Sequence, residues 1–302
     1  KYCTLEYNSE SYGEIQYTNI MKKILKDGTI KNCRNGKTLS LFCEHMKFDL
    51  RDGFPLLTTK KMFLRGIIEE LLFFLKGETD STLLESKNVN IWKGNTTSQF
   101  IKNKNLPYSE GVMGPMYGYQ WRHFNCPYLL DDENKPIKPS GGIDQFKNVV
   151  DLVKNDPNSR RILLTTYNPL QAEEGVLYPC HSIVNQFYVD GDFIDMFCYN
   201  RSQDFFLGTP YNIASSSILL IIISKLTNKK PRYFNLSMGD THLYLQHKEA
   251  AGIQIKNMPY KKPTIEISKD LKNVEEIETL TYSDFKIKDY ICHKTIKAEM
   301  IA

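Results

Sequence analysis

The sequence has no long hydrophobic run. The longest strongly apolar stretch is 218–223, whereas a membrane-spanning helix needs roughly 20 such residues. No basic stretch followed by an apolar segment opens the chain, so no secretory signal is expected. These absences favour a folded protein without a membrane anchor, for which we expect a cytoplasmic location.

Cysteines are few, and their spacing fits no known framework. The seven stand at positions 3, 33, 43, 126, 180, 198 and 292, and no two form a Cys-x-x-Cys pair. An odd number without that spacing argues against a disulfide scaffold and against a zinc ribbon. The pattern fits a reducing compartment, in which a free thiol is available for chemistry.

Neither sign of charge dominates. The 39 Lys and Arg residues stand against 35 Asp and Glu residues, giving a net charge of +4. This balance is not that of a nucleic-acid-binding protein, although it suits a small anionic partner. A chain of 302 residues with 41% hydrophobic content buries roughly 75% of its unfolded surface, so it needs no disulfide or metal to fold.

Hydrophobic periodicity predicts an α+β protein, because helices and strands are mixed without strict βαβ alternation. No linker-like segment divides the chain, so we expect a single domain over 1–302. Residues 1–13 are an N-terminal extension, and 128–142 is predicted to be a surface loop from its run of acids and its prolines. The predicted elements are helices at 14–26, 63–76, 143–154 and 213–226, a strand pair at 38–50, a β-rich run at 161–167, and strands at 183–189 and 193–199.

The last two strands flank Asp190-Gly191, a strong hairpin signal. A tight turn at these two residues places Cys180 opposite Arg201, and a bulge moves the pairing by only one residue. A neighbouring guanidinium stabilises a thiolate and lowers the pKa of the thiol, which makes Cys180 a candidate nucleophile. The alternative from the residues alone is a buried structural cysteine.

Other polar groups suited to an anion or a heterocycle surround this hairpin. Guanidinium and hydroxyl groups are natural phosphate ligands, and Asp and Asn within an apolar segment are suited to a ring edge or to turn capping. An extended backbone points the alternating residues 240, 242 and 244 to one face. His242 and His247 have no third ligand at metal spacing, so no metal site is expected. The candidates are Arg160, Arg161, Arg201, Ser202, Asp204, Asn212, Asp240, His242 and Tyr244.

Eight longer motifs follow one another along the chain. They are FPLLTTKK at 54–61, IIEELLFFL at 67–75, GPMYGYQWR at 114–122, SRRI at 159–162, PCH at 179–181, RSQD at 201–204, PYNIAS at 210–215 and GDTHLY at 239–244. In these residues and in their order, from about residue 14 to the end, the sequence resembles the thymidylate synthase family. The resemblance implies that family's fold, in which a mixed sheet is packed with helices and one sheet face lies at a dimer interface.

The resemblance implies reductive methylation of dUMP by 5,10-methylenetetrahydrofolate, giving dTMP and dihydrofolate without a metal. Cys180 adds to the pyrimidine 6-carbon, which makes the 5-carbon nucleophilic. The helical pattern alone leaves Glu69 and Glu70 as alternatives, and the family motif selects Glu70 for proton transfer. The catalytic residues implied are Cys180, Glu70, Tyr117, Arg201, Asp204 and Asn212.

The binding residues carried over from the family fall into two groups. Those for dUMP are Arg34, Arg160, Arg161, His181, Arg201, Ser202, Gln203, Asp204, Asn212, His242 and Tyr244. Those for the folate are Trp92, Asn95, Asp204, Leu207, Gly208, Tyr211 and Ile301. In a homodimer Arg160 and Arg161 reach across to the partner's site, and the C-terminal tail 300–302 closes over the folate.

The chain departs from the usual family pattern at several positions. The loop around Arg34 is one residue shorter, so Lys37 is an alternative phosphate ligand. Asn200 stands where Gln is usual, and one extra residue near 184–186 predicts a bulge in the hairpin. None of these changes removes a group that the chemistry needs.

Two other functions fit parts of the sequence. A nucleotide hydroxymethylase of the same fold would let water, instead of hydride, capture the methylene adduct, and Asn212 favours uracil over cytosine as its base. A non-catalytic RNA-binding or regulatory protein fits the mild positive charge. The Lys at position 1 and the residues before 14 fit a synthase domain fused to dihydrofolate reductase.

Overall fold

The computed structural model describes residues 12–301, so most of the expected extension 1–13 and the terminal Ala302 lie outside the described residues. The helices and strands follow one another as α1 (Tyr12–Asp27), β1 (Thr29–Cys33), β2 (Gly36–Asp49), α2 (Leu64–Leu75), α3 (Thr82–Glu85), α4 (Ser98–Asn103), α5 (Gly118–His123), α6 (Gln145–Asn155), β3 (Leu163–Thr165), β4 (Val184–Asp190), β5 (Phe193–Asp204), α7 (Gly208–Leu226), β6 (Lys230–Tyr244), α8 (Lys248–Gln254), β7 (Thr264–Ile267) and β8 (Phe285–Lys288).

A six-stranded mixed sheet organises the fold. Its strand order is β1-β2-β6-β5-β4-β3, and β7 and β8 form a separate antiparallel pair. All neighbours in the large sheet are antiparallel except β5 and β6, which run parallel because α7 carries the chain back between them. The α+β class and the mixed sheet packed with helices are confirmed.

Helix α7 is the centre of the core. It contains the continuous apolar run ILLIII at 218–223, whose side chains are nearly all buried on every side of the helix. Because no side of this part of the helix faces water, the sequence shows no single apolar face. The prediction of a buried helix here is confirmed, and the structure extends it back to Gly208. Helix α1 packs on β2, and α2 packs on α7, so one face of the sheet is covered by helices.

A buried carboxylate anchors α1 to the segment 54–61. Glu14 accepts hydrogen bonds from the Thr58 backbone N–H at 2.8 Å, the Thr58 hydroxyl at 2.6 Å and the Thr59 N–H at 2.6 Å. Burial raises the pKa of Glu14, which these hydrogen bonds partly oppose by stabilising the carboxylate. The motif at 54–61 is thus tied to the first helix.

Two predictions about the strands were wrong. Residues 38–50 are not a strand pair: 38–49 belong to the single long strand β2, Leu50 follows its end, and the partner β1 lies before β2 across the turn Arg34–Asn35. In the hairpin Asp190 pairs with Phe193, so the turn is Gly191–Asp192 rather than Asp190-Gly191. Gly191 has a φ of +57°, a conformation that glycine adopts without strain.

The bulge expected near 184–186 does not lie within those residues, which pair in regular register with 197–199; the alignment shifts just before them. Val184 pairs with Tyr199 at the start of the ladder, yet the preceding Ile183 N–H also donates to the Tyr199 carbonyl, at 2.9 Å. Further back, the Ser202 N–H donates to the Cys180 carbonyl at 3.2 Å. The alignment therefore shifts by one residue at Ile183, as in a β-bulge.

The segment 128–142 forms no helix or ladder strand, as predicted, but it is held in place. The Lys135 ammonium lies 3.3 Å from an Asp80 carboxylate oxygen and donates to the Glu110 carbonyl at 3.0 Å. The Ser109 N–H donates to the Asn134 carbonyl. Within residues 12–301 no helix is both long enough and apolar enough to cross a membrane.

Candidate active site

Cys180 lies just before β4, beside the end of β5. The Tyr117 hydroxyl is 3.4 Å from its sulfur. The Arg201 Nε–H donates to the Pro179 carbonyl at 3.1 Å, which holds the guanidinium beside the thiol although the predicted strand register was wrong. The structure therefore brings together the thiol and guanidinium that the sequence paired.

The net effect on the thiol differs from the expectation. Burial raises the pKa of Cys180, whereas the Tyr117 hydroxyl and the Arg201 charge lower it, and burial is the larger effect. The guanidinium lowers the pKa of the thiol as predicted, but burial, which the sequence does not reveal, outweighs it, so the prediction of a net lowered pKa was wrong. The Cys180 thiol is therefore mostly protonated at neutral pH.

Tyr117 is held rigidly at the start of α5. Its ring stacks on His181, with centroids 4.2 Å apart, and on Phe74 at 5.1 Å. The following Gly118 permits this contact, because a side chain there would meet the Phe74 carbonyl at 2.1 Å. Burial, and then the nearby Cys180, raise the pKa of Tyr117 well above the ordinary value, so the phenol is neutral. Burial lowers the pKa of His181 to about 4, so the imidazole is neutral as well.

The structure separates the two adjacent glutamates of α2. Glu69 is only 6% exposed, and its carboxylate pairs at 2.7 Å with the half-exposed Lys87. Glu70 instead accepts a hydrogen bond from the Trp92 indole at 2.8 Å. Burial raises the pKa of Glu70 to about 7, against the lowering effect of that hydrogen bond. Glu70 therefore titrates near neutrality, as a proton-transfer group requires.

The end of β5 and the start of α7 supply further polar groups. One oxygen of Asp204 accepts the backbone N–H groups of Phe206 at 3.0 Å and Leu207 at 3.1 Å, which fixes the turn into α7. On the first turn of that helix, the Asn212 side-chain oxygen accepts from the Gln203 amide at 2.8 Å.

The end of β6 brings three alternating residues together, as the sequence predicted. The His242 Nδ1 lies 3.2 Å from an Asp240 carboxylate oxygen, and the His242 and Tyr244 rings pack edge to face at 5.4 Å. Asp240 also accepts from the Lys31 ammonium and the Ser40 hydroxyl, both at 2.7 Å. Asp204 pairs with His242 in the β5–β6 register, which places this group beside the start of α7.

The four arginines divide into two sets. Arg201 lies beside the thiol, and Arg34 is exposed in the β1–β2 turn, close enough to Tyr244 to affect its pKa. Arg160 and Arg161 are exposed after α6. Within residues 12–301 neither guanidinium contacts Cys180 or the Arg201 beside it. One chain alone does not bring all four together.

Two of the folate candidates lie close to Glu70. Trp92 is buried with its indole on the Glu70 carboxylate, and the Glu70 charge adds to burial in raising the pKa of Tyr211. Asn95 is buried after Trp92, while Leu207 and Gly208 begin α7. The C-terminal segment after β8 reaches Ile301 without further helix or strand, and the His247 Nε2–H donates to the Glu299 carbonyl at 2.8 Å.

Sequence reasoning missed the groups that orient these side chains. The Trp92–Glu70 hydrogen bond joins residues whose spacing carries no signal. Asn200, noted only as a departure from the family, is fully buried and hydrogen-bonded to Gln203. Within the described residues no three His, Cys, Asp or Glu side chains are placed to hold a metal ion.

Comparisons with known proteins agree with this geometry. The family model described as thymidylate synthase matches residues 15–302. The human protein named thymidylate synthase is 41% identical over 293 residues, covering 96% of this chain and 91% of the relative. The bifunctional dihydrofolate reductase-thymidylate synthase of Plasmodium berghei is 43% identical over 301 residues, or 98% of this chain. That of Leishmania major is 39% identical over 300 residues.

The chain spans about half the length of the bifunctional Plasmodium relatives that it matches, with 50% coverage of the Plasmodium berghei protein. The family match, in contrast, covers nearly the whole of the sequence, including every residue of the site described above. This chain belongs to the thymidylate synthase family.

Proposed function

We propose that this chain converts dUMP and 5,10-methylenetetrahydrofolate into dTMP and dihydrofolate, with Cys180 as the covalent nucleophile. The observation that carries the proposal is the grouping of Cys180, Tyr117 and Glu70. The Tyr117 hydroxyl lies 3.4 Å from the sulfur, and Trp92, whose indole donates to Glu70, packs with its ring 5.8 Å from that of Tyr117. The family match does not favour the alternative hydroxymethylase.

The nucleophile must lose its proton before it attacks. Burial keeps Cys180 mostly in the thiol form, and Arg201 beside it stabilises the thiolate that attacks the pyrimidine 6-carbon. The sulfur–carbon bond gives the 5-carbon the electron density to attack the one-carbon unit, and it is broken when the product leaves.

Two groups of suitable protonation state serve the proton transfers. Glu70 titrates near pH 7 and so exchanges protons with the base through water. Tyr117 is a neutral phenol whose hydroxyl lies 3.4 Å from the sulfur, and we assign it the removal of the 5-proton.

The nucleotide is oriented by the polar groups of β5, β6 and α7. Asn212 reads the uracil amide edge, since an amide both donates and accepts, and His242 and Tyr244 bind the ribose hydroxyl. Arg34, Arg201 and Ser202 bind the phosphate. His181 supports the base site through its stack on Tyr117.

We propose that the folate binds near Glu70, against Trp92 and the first residues of α7. Trp92, Leu207 and Tyr211 offer apolar surface, and Asn95 and Gly208 border it. Among residues 12–301 the hydrogen bonds to Asp204 use one of its two carboxylate oxygens, so the other is available to the donor edge of a pterin. The folate supplies the one-carbon unit and the hydride, and the tail around Ile301 excludes water.

We propose a homodimer, because the site lacks two of its arginines in one chain. Leu163, Tyr188 and Phe197 lie on the sheet face away from the helices and are 42%, 66% and 37% exposed. Pairing this face with a second copy covers the apolar side chains. The exposed Arg160 and Arg161 then reach the partner's phosphate site.

The remaining proposals concern the setting of the domain. We propose that 1–302 is one synthase domain with an extension at 1–13, and that a dihydrofolate reductase is its fused or associated partner, as the names of the bifunctional relatives suggest. We place the activity in the cytoplasm, supported by the six described cysteines, which are all free thiols.

The test is a spectrophotometric assay in which the chain is mixed with dUMP and methylenetetrahydrofolate, and the rise in absorbance reports the formation of dihydrofolate. We expect dTMP and dihydrofolate in equal amounts. Release of 5-hydroxymethyl-dUMP without dihydrofolate would show a hydroxymethylase, and no nucleotide product at all would refute the enzymatic proposal.

A further inference from the structure

Three side-chain amides are linked by hydrogen bonds in a series that ends at Asn212. Asn200 and Gln203 of β5 are 0% and 2% exposed, and Asn212 follows them on α7. The Asn200 amide donates to the Gln203 oxygen, and the Gln203 amide donates to the Asn212 oxygen at 2.8 Å. We call Asn200, Gln203 and Asn212 the amide relay.

The far end of the relay is anchored to the backbone next to the nucleophile. The Ser182 N–H donates to the Asn200 oxygen at 2.7 Å, and the Cys198 thiol donates to the same oxygen at 3.3 Å. Ser182 stands two residues after Cys180 and has a φ of +51°, so its N–H direction is set by an unusual backbone conformation. The relay therefore connects the nucleophile's segment to Asn212.

The anchor determines which way every amide in the relay faces. A backbone N–H only donates, so the oxygen of Asn200 must face Ser182 and its NH₂ group must face Gln203. The Gln203 oxygen accepts from it, which turns the Gln203 NH₂ group toward Asn212. The Asn212 oxygen must then lie on the relay side, and its NH₂ group is left for a ligand.

This orientation matters because uracil and cytosine present opposite hydrogen-bonding edges. At the 3- and 4-positions uracil offers a ring N–H and a carbonyl oxygen, whereas cytosine offers a ring acceptor and an amino group. The fixed Asn212 NH₂ group donates to the uracil carbonyl, and the second lone pair of its oxygen accepts the ring N–H. To pair with cytosine, Asn212 must flip, which sets two NH₂ groups against each other at Gln203.

We propose that Gln203 and Asn200 are positioning residues that lock the Asn212 amide and thereby make the site select a uracil nucleotide over a cytosine nucleotide. This inference rests on the proposed function, because it assigns Asn212 to the base edge. It also changes the role expected for Gln203, which acts through Asn212 instead of touching the nucleotide.

The experiment compares the dissociation constants of dUMP and dCMP, measured by titration calorimetry on the full chain. Gln203→Met keeps the length of the side chain and removes both hydrogen bonds of the central link. Asn200→Leu removes the preceding link. Gln99→Met is the matched control, since it makes the same exchange at an exposed position of α4.

We expect both relay variants to narrow the preference for dUMP over dCMP by at least about fivefold, the lower bound for a mispaired buried amide. We expect the variant that combines Gln203→Met and Asn200→Leu to have the same preference for dUMP over dCMP as either single variant, because one broken link already frees Asn212. Gln99→Met leaves the preference unchanged. Thermal unfolding identifies which variants are folded, and either relay variant alone suffices for the comparison.

A merely structural role gives a different result. If the folded variants bind dUMP and dCMP more weakly by the same factor, so that the preference stays within twofold of the wild type, the relay does not set specificity and the inference is overturned. If the wild type binds neither nucleotide and makes no dTMP, the proposed function fails first. The two failures are therefore distinguishable.

Discussion

The hydrogen bond between Trp92 and Glu70 offers a quantitative test of how the site sets a pKa. Trp92→Phe keeps an aromatic ring against Phe74 and Tyr117 but removes the indole N–H, which donates to the Glu70 carboxylate at 2.8 Å. That donor stabilises the ionised form, so it lowers the pKa of Glu70 against the raising effect of burial. Its removal therefore raises the pKa further above about 7.

The magnitude follows from the strength of a hydrogen bond to a charged group, about 1.5–3 kcal/mol. Because one pKa unit corresponds to about 1.36 kcal/mol, the pKa of Glu70 rises by about 1–2 units. The ionised fraction at pH 7 falls from about one half to about 1–10%. We expect the inflection of the kcat/KM profile for dUMP that lies near pH 7 to move up by the same amount.

The matched control is Trp121→Phe. Trp121 is also buried and packs edge to face on Phe74, but its indole N–H has no hydrogen-bond partner among the described residues. This variant loses the same group without touching a carboxylate, so the inflection stays in place. An unmoved inflection in Trp92→Phe, or an equal shift in both variants, would refute the account of Glu70.

Three further outcomes follow from the same geometry. Tyr117→Phe removes a hydrogen bond that lowers the pKa of Cys180, so the pH midpoint for alkylation by iodoacetamide moves up; an unchanged midpoint would contradict the contact. The raised pKa of Glu70 makes the wild type less stable as the pH rises from about 4.5 to 7, because the carboxyl ionises more readily in the unfolded chain than in the folded one. Glu70→Gln removes this loss, so it raises the free energy of unfolding by about 1–3 kcal/mol at pH 8 and leaves it unchanged at pH 4. Denaturant unfolding at the two pH values measures this, and an equal effect at both would count against it. Chains carrying Cys180→Ser and chains carrying Arg160→Ala with Arg161→Ala are each expected to be inactive, but mixing them restores activity. In a mixed dimer one site keeps its own Cys180 and receives both arginines from the partner. No recovery after subunit exchange would refute the shared site.

Much of the fold was predictable because its signals are local. The helical stripe of α2 and its stop at Gly77, and the length of the apolar run in α7, depend on short-range patterns that the structure retains. The hairpin register was not predictable from Asp190-Gly191, because the neighbouring Gly191–Asp192 accommodates the turn as well and moves every pair. The ladder from Val184 to Asp190, not the turn alone, decides between them.

The site was predictable in its members but not in its electrostatics. Motifs identified Cys180, Glu70 and Asn212, yet the raised pKa of Cys180 follows from burial, which depends on how the whole chain packs. The same holds for the choice between the two α2 glutamates, since the partner of each comes from a distant segment, Lys87 for Glu69 and Trp92 for Glu70. Side-chain partners across long sequence separations leave no local pattern.

The central claim is that Cys180 forms a covalent bond to the pyrimidine. The most direct measurement is the intact mass of the denatured chain after incubation with 5-fluoro-dUMP and methylenetetrahydrofolate. The account predicts one stable adduct per chain that contains both ligands, and none in Cys180→Ser. Absence of the adduct in the wild type, or its presence in Cys180→Ser, would contradict the account.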